Sequence, residues 1–366
     1  MSHDSHDAAR HQPCRSPVVA FYEVTQACNL TCRHCRACAQ VHAHPEELST
    51  DTALALLDDL ASFETPPMVV FTGGDPMRRA DLPQLVRHAT SLRLRTSAAL
   101  SATPRVKPDR LAELRDTGLT TIAVSVDGVD EPTHRALRQV PKTLERAIRI
   151  LRDAKALGLK TQVNTTITRG NVKQIDAMAA LLAALQIDRW SVFFLVPTGR
   201  ATDIERITPW DYEAVFERLL HHQRIQPFAI KTTEAPFFRR YAIERAASPM
   251  LNGSRMTMGV NDGRGVVFIG HTGKIEPSGF LPIECGHFPA DSVVSIYENH
   301  PVFRDLQDPD RLRGKCGVCP YRRVCGGSRA RAYAVSRDYL AEEPDCAYRP
   351  PLASLSGIKE RAICSA

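Results

Sequence analysis

From about residue 18 the chain alternates short apolar runs with longer stretches whose apolar residues recur at spacings of three and four. The short runs read as strands: VVAFYEV (Val18 to Val24), MVVFTGG (Met68 to Gly74), RLRTSAA (Arg93 to Ala99), TTIAVSVDG (Thr120 to Gly128), LKTQVNTTIT (Leu159 to Thr168) and RWSVFFLVP (Arg189 to Pro197). The stretches between them, such as DTALALLDDLASF, DLPQLVRHAT, PDRLAELRDTG, TLERAIRILRDAKALG and VKQIDAMAALLAAL, carry the period of amphipathic helices. Strand–helix units in series predict a parallel sheet with right-handed crossovers. A doubly wound sheet would place a glycine-rich dinucleotide turn after the first strand. A cysteine loop stands there instead, so the expected fold class is α/β with a partial (β/α)6 TIM-like barrel, its chemistry at the C-terminal ends of the strands.

After Pro197 the alternation is expected to stop. A helix (Trp210 to His222), a short strand FAIKTTE and the helix PFFRRYAIERAA follow, then MGVNDGRG, two short strands around HTGK, a cysteine-rich loop and a helix over Ser328 to Ser336. The expected division is a tail over 1–16, the barrel over 17–235, a small second domain over 236–350, and a tail over 351–366. A chain of 366 residues suits one large barrel with a smaller appended module.

The net charge of +6 is mild and its Lys and Arg residues are scattered, which argues against a nucleic-acid partner. No apolar run reaches membrane-spanning length and no signal-peptide core opens the chain, so no membrane partner and a cytoplasmic location are expected. The polar start, with His3, His6, His11 and Cys14, reads as a loose tail. Eleven cysteines, an odd number, fall in two groups near the ends with none between Cys38 and Cys285. A secreted disulfide framework is spread more evenly, and close spacing in a reducing compartment points to metal ligation.

The first group is Cys28-x3-Cys32-x2-Cys35, on the loop leaving the first strand. Three thiolates on a four-iron cubane leave one iron without a protein ligand. A structural zinc site, completed by Cys38, His34, His42 or His44, is the alternative. The second group, Cys316-x2-Cys319-x5-Cys325 with Cys346 further on, offers four thiolates, and zinc competes more strongly for such a closed set.

The run EVTQACNLTCRHCRACAQ resembles the radical S-adenosylmethionine (SAM) superfamily, in the branch with C-terminal SPASM or twitch cluster modules, and the likeness extends over nearly the whole chain from about residue 18. It implies that the open iron of a [4Fe–4S] cluster on Cys28, Cys32 and Cys35 chelates SAM, whose reductive cleavage gives a 5′-deoxyadenosyl radical. TGGDP looks like the family's GGEP motif, with Asp75 in place of the more common Glu, and implies that Gly73, Gly74, Asp75 and Pro76 receive the SAM amino group. SVDG, then His134 and Arg138, is similar to the family's SxDGxxxxxHxxxR stretch and implies that Ser125 and Arg138 contact the SAM carboxylate. His34 takes the family's aromatic position beside the adenine, and Leu195 its place on the sixth strand. GKCGVCPYRRVCGG resembles the SPASM CxxCx5C pattern and implies one auxiliary [4Fe–4S] cluster on Cys316, Cys319, Cys325 and Cys346. Ser278 and Ser328 stand where further SPASM cysteines are expected, and Val260 to Gly265 also lacks one. Cys38 reads as a buried or spare thiol beyond the motif, Cys285 as a free thiol although it is the only candidate for an additional ligand, and Cys364 as part of a loose tail.

FFLVPTGRA, PSGFLP and GGSRARAYAVSRDYLAEEPDCAY look like the haem-biosynthesis branch, which holds iron-coproporphyrin decarboxylases and haem d1 maturases. That likeness implies a small-molecule tetrapyrrole substrate whose propionates need basic partners, with Arg200, Lys231, Arg239, Arg240, Arg329 and Arg331 as candidates. It also implies an electron donor such as flavodoxin or ferredoxin. Ser278, Ser328 and Glu234 depart from that branch. A maturase of a ribosomally made peptide and a non-catalytic metal-binding protein are the alternatives.

Overall fold

The computed structural model describes residues 14–245 and 260–351; His3, His6, His11 and Cys364 lie outside the described residues, as do most of the two expected tails. The first six strands are β1 (Val19–Glu23), β2 (Met68–Thr72), β3 (Thr96–Leu100), β4 (Thr121–Ser125), β5 (Lys160–Ile167) and β6 (Arg189–Phe194). Between them run α1 (Thr50–Ala61), α2 (Leu82–Ser91), α3 (Pro108–Asp116), α4 (Glu131–Arg138), α5 (Thr143–Ala156) and α6 (Ile175–Ala184). The short α4 has no long apolar stripe and did not show in the periodicity; Asp130 starts it by accepting the Thr133 N–H.

The alternation does not stop at Pro197. Helix α7 (Pro209–Ile225) leads into β7 (Ala229–Thr233), which pairs parallel with β6 as a seventh strand of the same sheet. The FAIKTTE strand, inside the expected 17–235 bounds, is therefore a seventh strand of the barrel layer where six were expected. Thr208 and Asp211 form a reciprocal cap at the start of α7. Helix α8 (Phe238–Arg245) follows.

The C-terminal part contributes β8 (Val266–Ile269), β9 (Lys274–Glu276), β10 (Gly286–His287), α9 (Val293–Asn299), α10 (Pro301–Gln307), α11 (Gly314–Gly317) and α12 (Arg329–Ser336). β8 lies parallel against the free side of β1, β9 turns back antiparallel beside β8, and β10 pairs antiparallel with β9 at the edge. The result is one ten-stranded sheet in the order β10-β9-β8-β1-β2-β3-β4-β5-β6-β7.

Helices cover one face of the parallel strands. Trp190, Val192 and Phe194 point to that face, where Phe194 stacks on Tyr212 at 4.8 Å between ring centres and Phe216 meets Phe237 at 5.2 Å. Each such fully buried ring contributes on the order of 1.5–3 kcal/mol. The alternate residues, Arg189, Ser191 and Phe193, share the concave face with Gln162, Asn164 and Thr166 of β5 and with Ala229, Lys231 and Thr233 of β7. Side chains of period two make this division strict. Among the described residues no helix is long and apolar enough to cross a membrane.

Candidate functional site

The loop after β1 is held by its backbone. The Cys28 N–H donates to Gln40 O (2.7 Å), Gly74 N–H to Thr25 O (2.8 Å) and Asp75 N–H to Ala27 O (2.7 Å). Glu47 accepts from Thr25 Oγ1 (2.7 Å) and the Gln26 N–H (2.8 Å). Arg200, after β6, donates to Cys32 O (3.0 Å) and Ala39 O (3.2 Å). It thus staples the cysteine loop through Nε and Nη1, while its Nη2 is buried with no hydrogen-bond partner among the described residues.

The sulfurs face donors. Leu30 N–H donates to Cys28 Sγ (3.3 Å), Ala39 N–H to Cys35 Sγ (3.5 Å) and Arg138 Nη1 to Cys32 Sγ (3.7 Å). Burial raises the thiols of Cys28 and Cys32 above their ordinary range. Thiolates there need cationic company, and N–H donors of this kind are what cluster sulfurs take. Cys38 sits at positive φ, 46°, beyond the motif.

The two glycines of TGGDP pass against the cysteine loop. A Cβ on Gly73 would meet Thr25 O at 2.5 Å, and one on Gly74 would meet Ala27 O at 2.4 Å. These are backbone oxygens and cannot swing aside. Gly74→Ala is therefore expected to displace the Cys28 segment and to lower iron content and SAM cleavage at least tenfold, checked by iron assay and chromatography of 5′-deoxyadenosine. The Asp75 carboxyl is buried, accepts from the Met77 N–H (3.2 Å) and Thr103 Oγ1 (2.8 Å), and caps the turn that starts at Pro76. Its side chain serves the turn, so what the motif offers a ligand is backbone.

Arg138, at the end of α4, does not stand free. Its Nε donates to Asp127 Oδ2 at 2.6 Å, and Asp127 also accepts the Thr166 N–H at 2.8 Å. Burial works against the charge on Arg138, but the Asp127 carboxylate and the Cys32 sulfur outweigh it and hold the guanidinium charged. Asp127 is fully buried and went unread in the sequence, where only the SVDG string as a whole was marked. His34 Nε2 stands 3.9 Å from the same carboxylate. His134 Nδ1 accepts the Asp127 N–H at 3.1 Å, which leaves its proton on Nε2. Burial first, and then the Arg138 charge, bring His34 down to about 4, and burial does the same for His134, so both rings are neutral. His34 Nδ1 and His134 Nε2 are buried with no hydrogen-bond partner among the described residues. Ser125 ends β4 on the concave face. Leu195 is buried just past β6, and its carbonyl accepts from Arg331 (3.2 Å).

A further group at the strand ends has no signature in the sequence. Glu23 at the end of β1 pairs with Arg36 (3.0 Å) and His271 (2.6 Å), and Arg36 lies over the Phe268 ring at 4.4 Å. Burial brings the nearby Glu276 carboxyl up to about 7. Only the pairing of β8 with β1 brings these residues together.

Cys316, Cys319, Cys325 and Cys346 line one cavity of about 390 Å³, counting its open mouth. Donors again face the sulfurs: the Gly327 N–H reaches Cys325 (3.3 Å) and the Glu343 N–H reaches Cys316 (3.3 Å). Burial pushes Cys346 up to about 11 and Cys325 higher still. A four-thiolate set around one space fits a closed cluster. Cys285 lies apart; burial pushes its thiol up to about 12, and it donates to Ile283 O. Among the described residues no three His, Cys, Asp or Glu side chains stand close enough to share a single metal ion.

Four more of the basic residues read as propionate partners are structural. Arg239 donates to Val324 O (3.1 Å) and Val260 O (2.9 Å). Arg240 pairs with Glu213 and with Glu244 (2.7 Å). Arg329, fully buried, donates to Tyr339 O (3.1 Å) and Ala341 O (2.6 Å). Arg331, also fully buried, pairs with Glu343 (3.1 Å) and Asp345 (3.3 Å) and donates to Glu234 O (2.6 Å). The segments without the further SPASM cysteines converge on oxygen. Ser278 Oγ donates to Asp262, which also takes the Ala330 N–H (2.9 Å), and Ser328 Oγ donates to Glu234. Burial first, and then Asp262, raise the Glu234 carboxyl well above its usual range.

Residues 22–182 match the Radical SAM superfamily. The AdoMet-dependent heme synthase of Oleidesulfovibrio alaskensis is 37% identical over 90% of this chain and 87% of its own length. That of Methanosarcina barkeri is 35% identical over 92% and 97%. The crystal structure of Streptococcus suis SuiB bound to S-adenosylmethionine superposes with a TM-score of 0.73 over 92% of this chain and 79% of that one, at 18% identity, a likeness of fold. The chain is thus a member of the radical SAM superfamily, which works with a [4Fe–4S] cluster and SAM, and within it belongs to the family of these heme synthases.

Proposed function

We propose that the chain converts propionate side chains of an iron porphyrin, iron-coproporphyrin III, to vinyl groups by oxidative decarboxylation. The observation that carries this is the 35–37% identity to AdoMet-dependent heme synthases along nine-tenths of the chain. In the substrate, –CH2–CH2–COO⁻ becomes –CH=CH2 by losing one hydrogen atom, one CO2 and one electron. When bound, the first cluster and SAM supply the 5′-deoxyadenosyl radical that takes the hydrogen, and the second cluster supplies a redox centre for the electron.

The residues of the chain divide the remaining work. Cys28, Cys32 and Cys35 hold the first cluster, and Cys316, Cys319, Cys325 and Cys346 the second. The Asp127 carboxylate fixes the Arg138 guanidinium beside Cys32, where it favours anionic sulfur and stands ready for the SAM carboxylate with its remaining N–H groups. The backbone of Gly73, Gly74 and Pro76 meets the SAM amino group, with Ser125, His34 and Leu195 as further walls of that site. Phe193 and Phe280, 6.2 Å apart, offer an apolar wall for a flat macrocycle. A small donor such as flavodoxin or ferredoxin delivers the starting electron.

Anaerobically reconstituted protein is expected to hold about eight irons, the sum of two cubanes. Incubated with iron-coproporphyrin III, SAM and reductant, it should yield product lighter by two carboxyl groups in the mass spectrum. Unchanged substrate alongside active SAM cleavage would refute the substrate assignment. An iron count near four with one zinc would refute the second cluster.

A further inference from the structure

The concave face of the sheet carries its charges unevenly. Near the C-terminal ends of the strands its cations are tied to protein groups: Arg36 to Glu23, Arg138 to Asp127, Arg200 to the carbonyls of the cysteine loop. Further down, on β5, β6 and β7, three cations share the face. Gln162 is in register with Arg189, and Lys160 precedes Gln162 by two; Ser191 is in register with Lys231. Residues in register on parallel strands, or two apart on one strand, point the same way. Lys160, Arg189 and Lys231 therefore project from the face opposite the helices. None of the three side chains has an ion pair or hydrogen bond among the described residues.

Arg189 and Lys231 sit close enough for the guanidinium to disfavour charge on the amine. Burial first, and then Arg189, bring the Lys231 ammonium down to about 8, although the side chain still opens onto the concave space. Two like charges side by side without a carboxylate between them are an unfavourable arrangement that an anion relieves. Beside Lys231 the hydroxyls of Ser191 and Thr233 stand 3.2 Å apart. These offer neutral donors next to the cations, and Phe193 continues the face towards the strand ends.

We propose that Lys231, with Arg189 beside it, is a carboxylate-binding site inside the barrel that grips an acidic arm of the substrate while another arm reacts at the strand ends. This rests on the propionate reading above and narrows it. Of six basic residues that the sequence offered to propionates, five donate to the protein's own carbonyls and carboxylates, and Lys231 alone of the six has no ion pair or side-chain hydrogen bond among the described residues. Binding at this site weakens as pH rises through the free ammonium's value. A bound carboxylate raises that value, so the lost charge is felt from about pH 8 upward.

The test uses the reconstituted full chain, without reductant, titrated with iron-coproporphyrin III and followed by its Soret absorbance. Lys231→Met is expected to weaken binding about ten- to a hundredfold. Arg189→Gln should cost less, and Lys231→Arg should restore most of the affinity. The wild-type Kd should rise between pH 7 and pH 9, and that of Lys231→Met should stay flat. Iron content and thermal unfolding, measured in parallel, confirm that each variant is folded. A Lys231→Met Kd within twofold of wild type, or one that keeps the wild-type pH dependence, overturns the site. Wild type that binds the porphyrin but releases no CO2 when SAM and reductant are added overturns the decarboxylation reading instead and leaves the comparison of Kd values to judge the site. Wild type that binds no porphyrin overturns both.

Discussion

Cys32→Ala is expected to reduce 5′-deoxyadenosine formation to the level seen without enzyme. Cys32 is buried, its carbonyl is fastened by Arg200 and its sulfur faces the Arg138 guanidinium. Alanine removes the middle of three thiolates, and two are too few to hold a cubane that must keep one iron open. The change is otherwise mild: a small side chain replaces a small one, and the backbone contacts of the loop remain. Circular dichroism should therefore match wild type, while iron content falls by about four atoms of about eight. The buried Arg138–Asp127 pair remains complete, so the loss falls on the metal and not on the fold. Cleavage of SAM at the wild-type rate in this variant would show that the three-cysteine assignment is wrong.

Arg331→Leu is expected to produce the largest loss of stability of any single change considered. The side chain is fully buried. It joins two carboxylates, Glu343 and Asp345, to the carbonyls of Phe194, Leu195 and Glu234. Leucine fills much of the space but removes the only guanidinium paired with Glu343 and one of the two near Asp345, leaving Glu343 with the Ser328 and Asp345 N–H groups and Asp345 with Tyr212 and Arg206. Removing one partner of such a network costs about 3–5 kcal/mol. Burial already raises the Asp345 carboxyl, and loss of the guanidinium raises it further. Its folded value then lies above the unfolded one, so the variant should regain stability as pH falls towards the unfolded carboxyl range and lose it as pH rises. Denaturant melts at several pH values would check this. The double variant Arg331→Leu, Glu343→Gln should recover part of the loss, since neutral groups tolerate burial better. A single-variant loss under about 1 kcal/mol would mean that water reaches these acids.

Much of this was legible from the chain. The six strands announced themselves because a parallel strand buried on its helix side and half-buried on the other leaves a compact apolar run. The two cysteine groups are strings, and strings survive any fold. What could not be read was pairing between distant segments. β7 looked like an isolated strand because its concave face carries Lys231 and Thr233, which break the apolar run; only its register with β6 assigns it to the barrel layer. Asp75 looked like a ligand contact because it sits in a motif, yet its oxygens are consumed by Met77 and Thr103. The arginines near the second cysteine group looked available because a sequence shows charge and not its partner. Asp127 escaped notice since a lone Asp in a turn carries no periodic signal. The Glu23–Arg36–His271 group draws on residues 248 positions apart, joined by the docking of β8.

That docking has a consequence for any attempt to treat the chain as two separable parts. β8 covers the side of β1 with parallel main-chain hydrogen bonds and follows it for four residues. A version of the protein cut before β8 would bare an apolar rim along Val19 to Tyr22, the kind of unpaired strand that recruits other chains. The N-terminal half thus has that rim covered by a strand that the C-terminal half lends it, which makes the two cysteine groups parts of one sheet-bound unit.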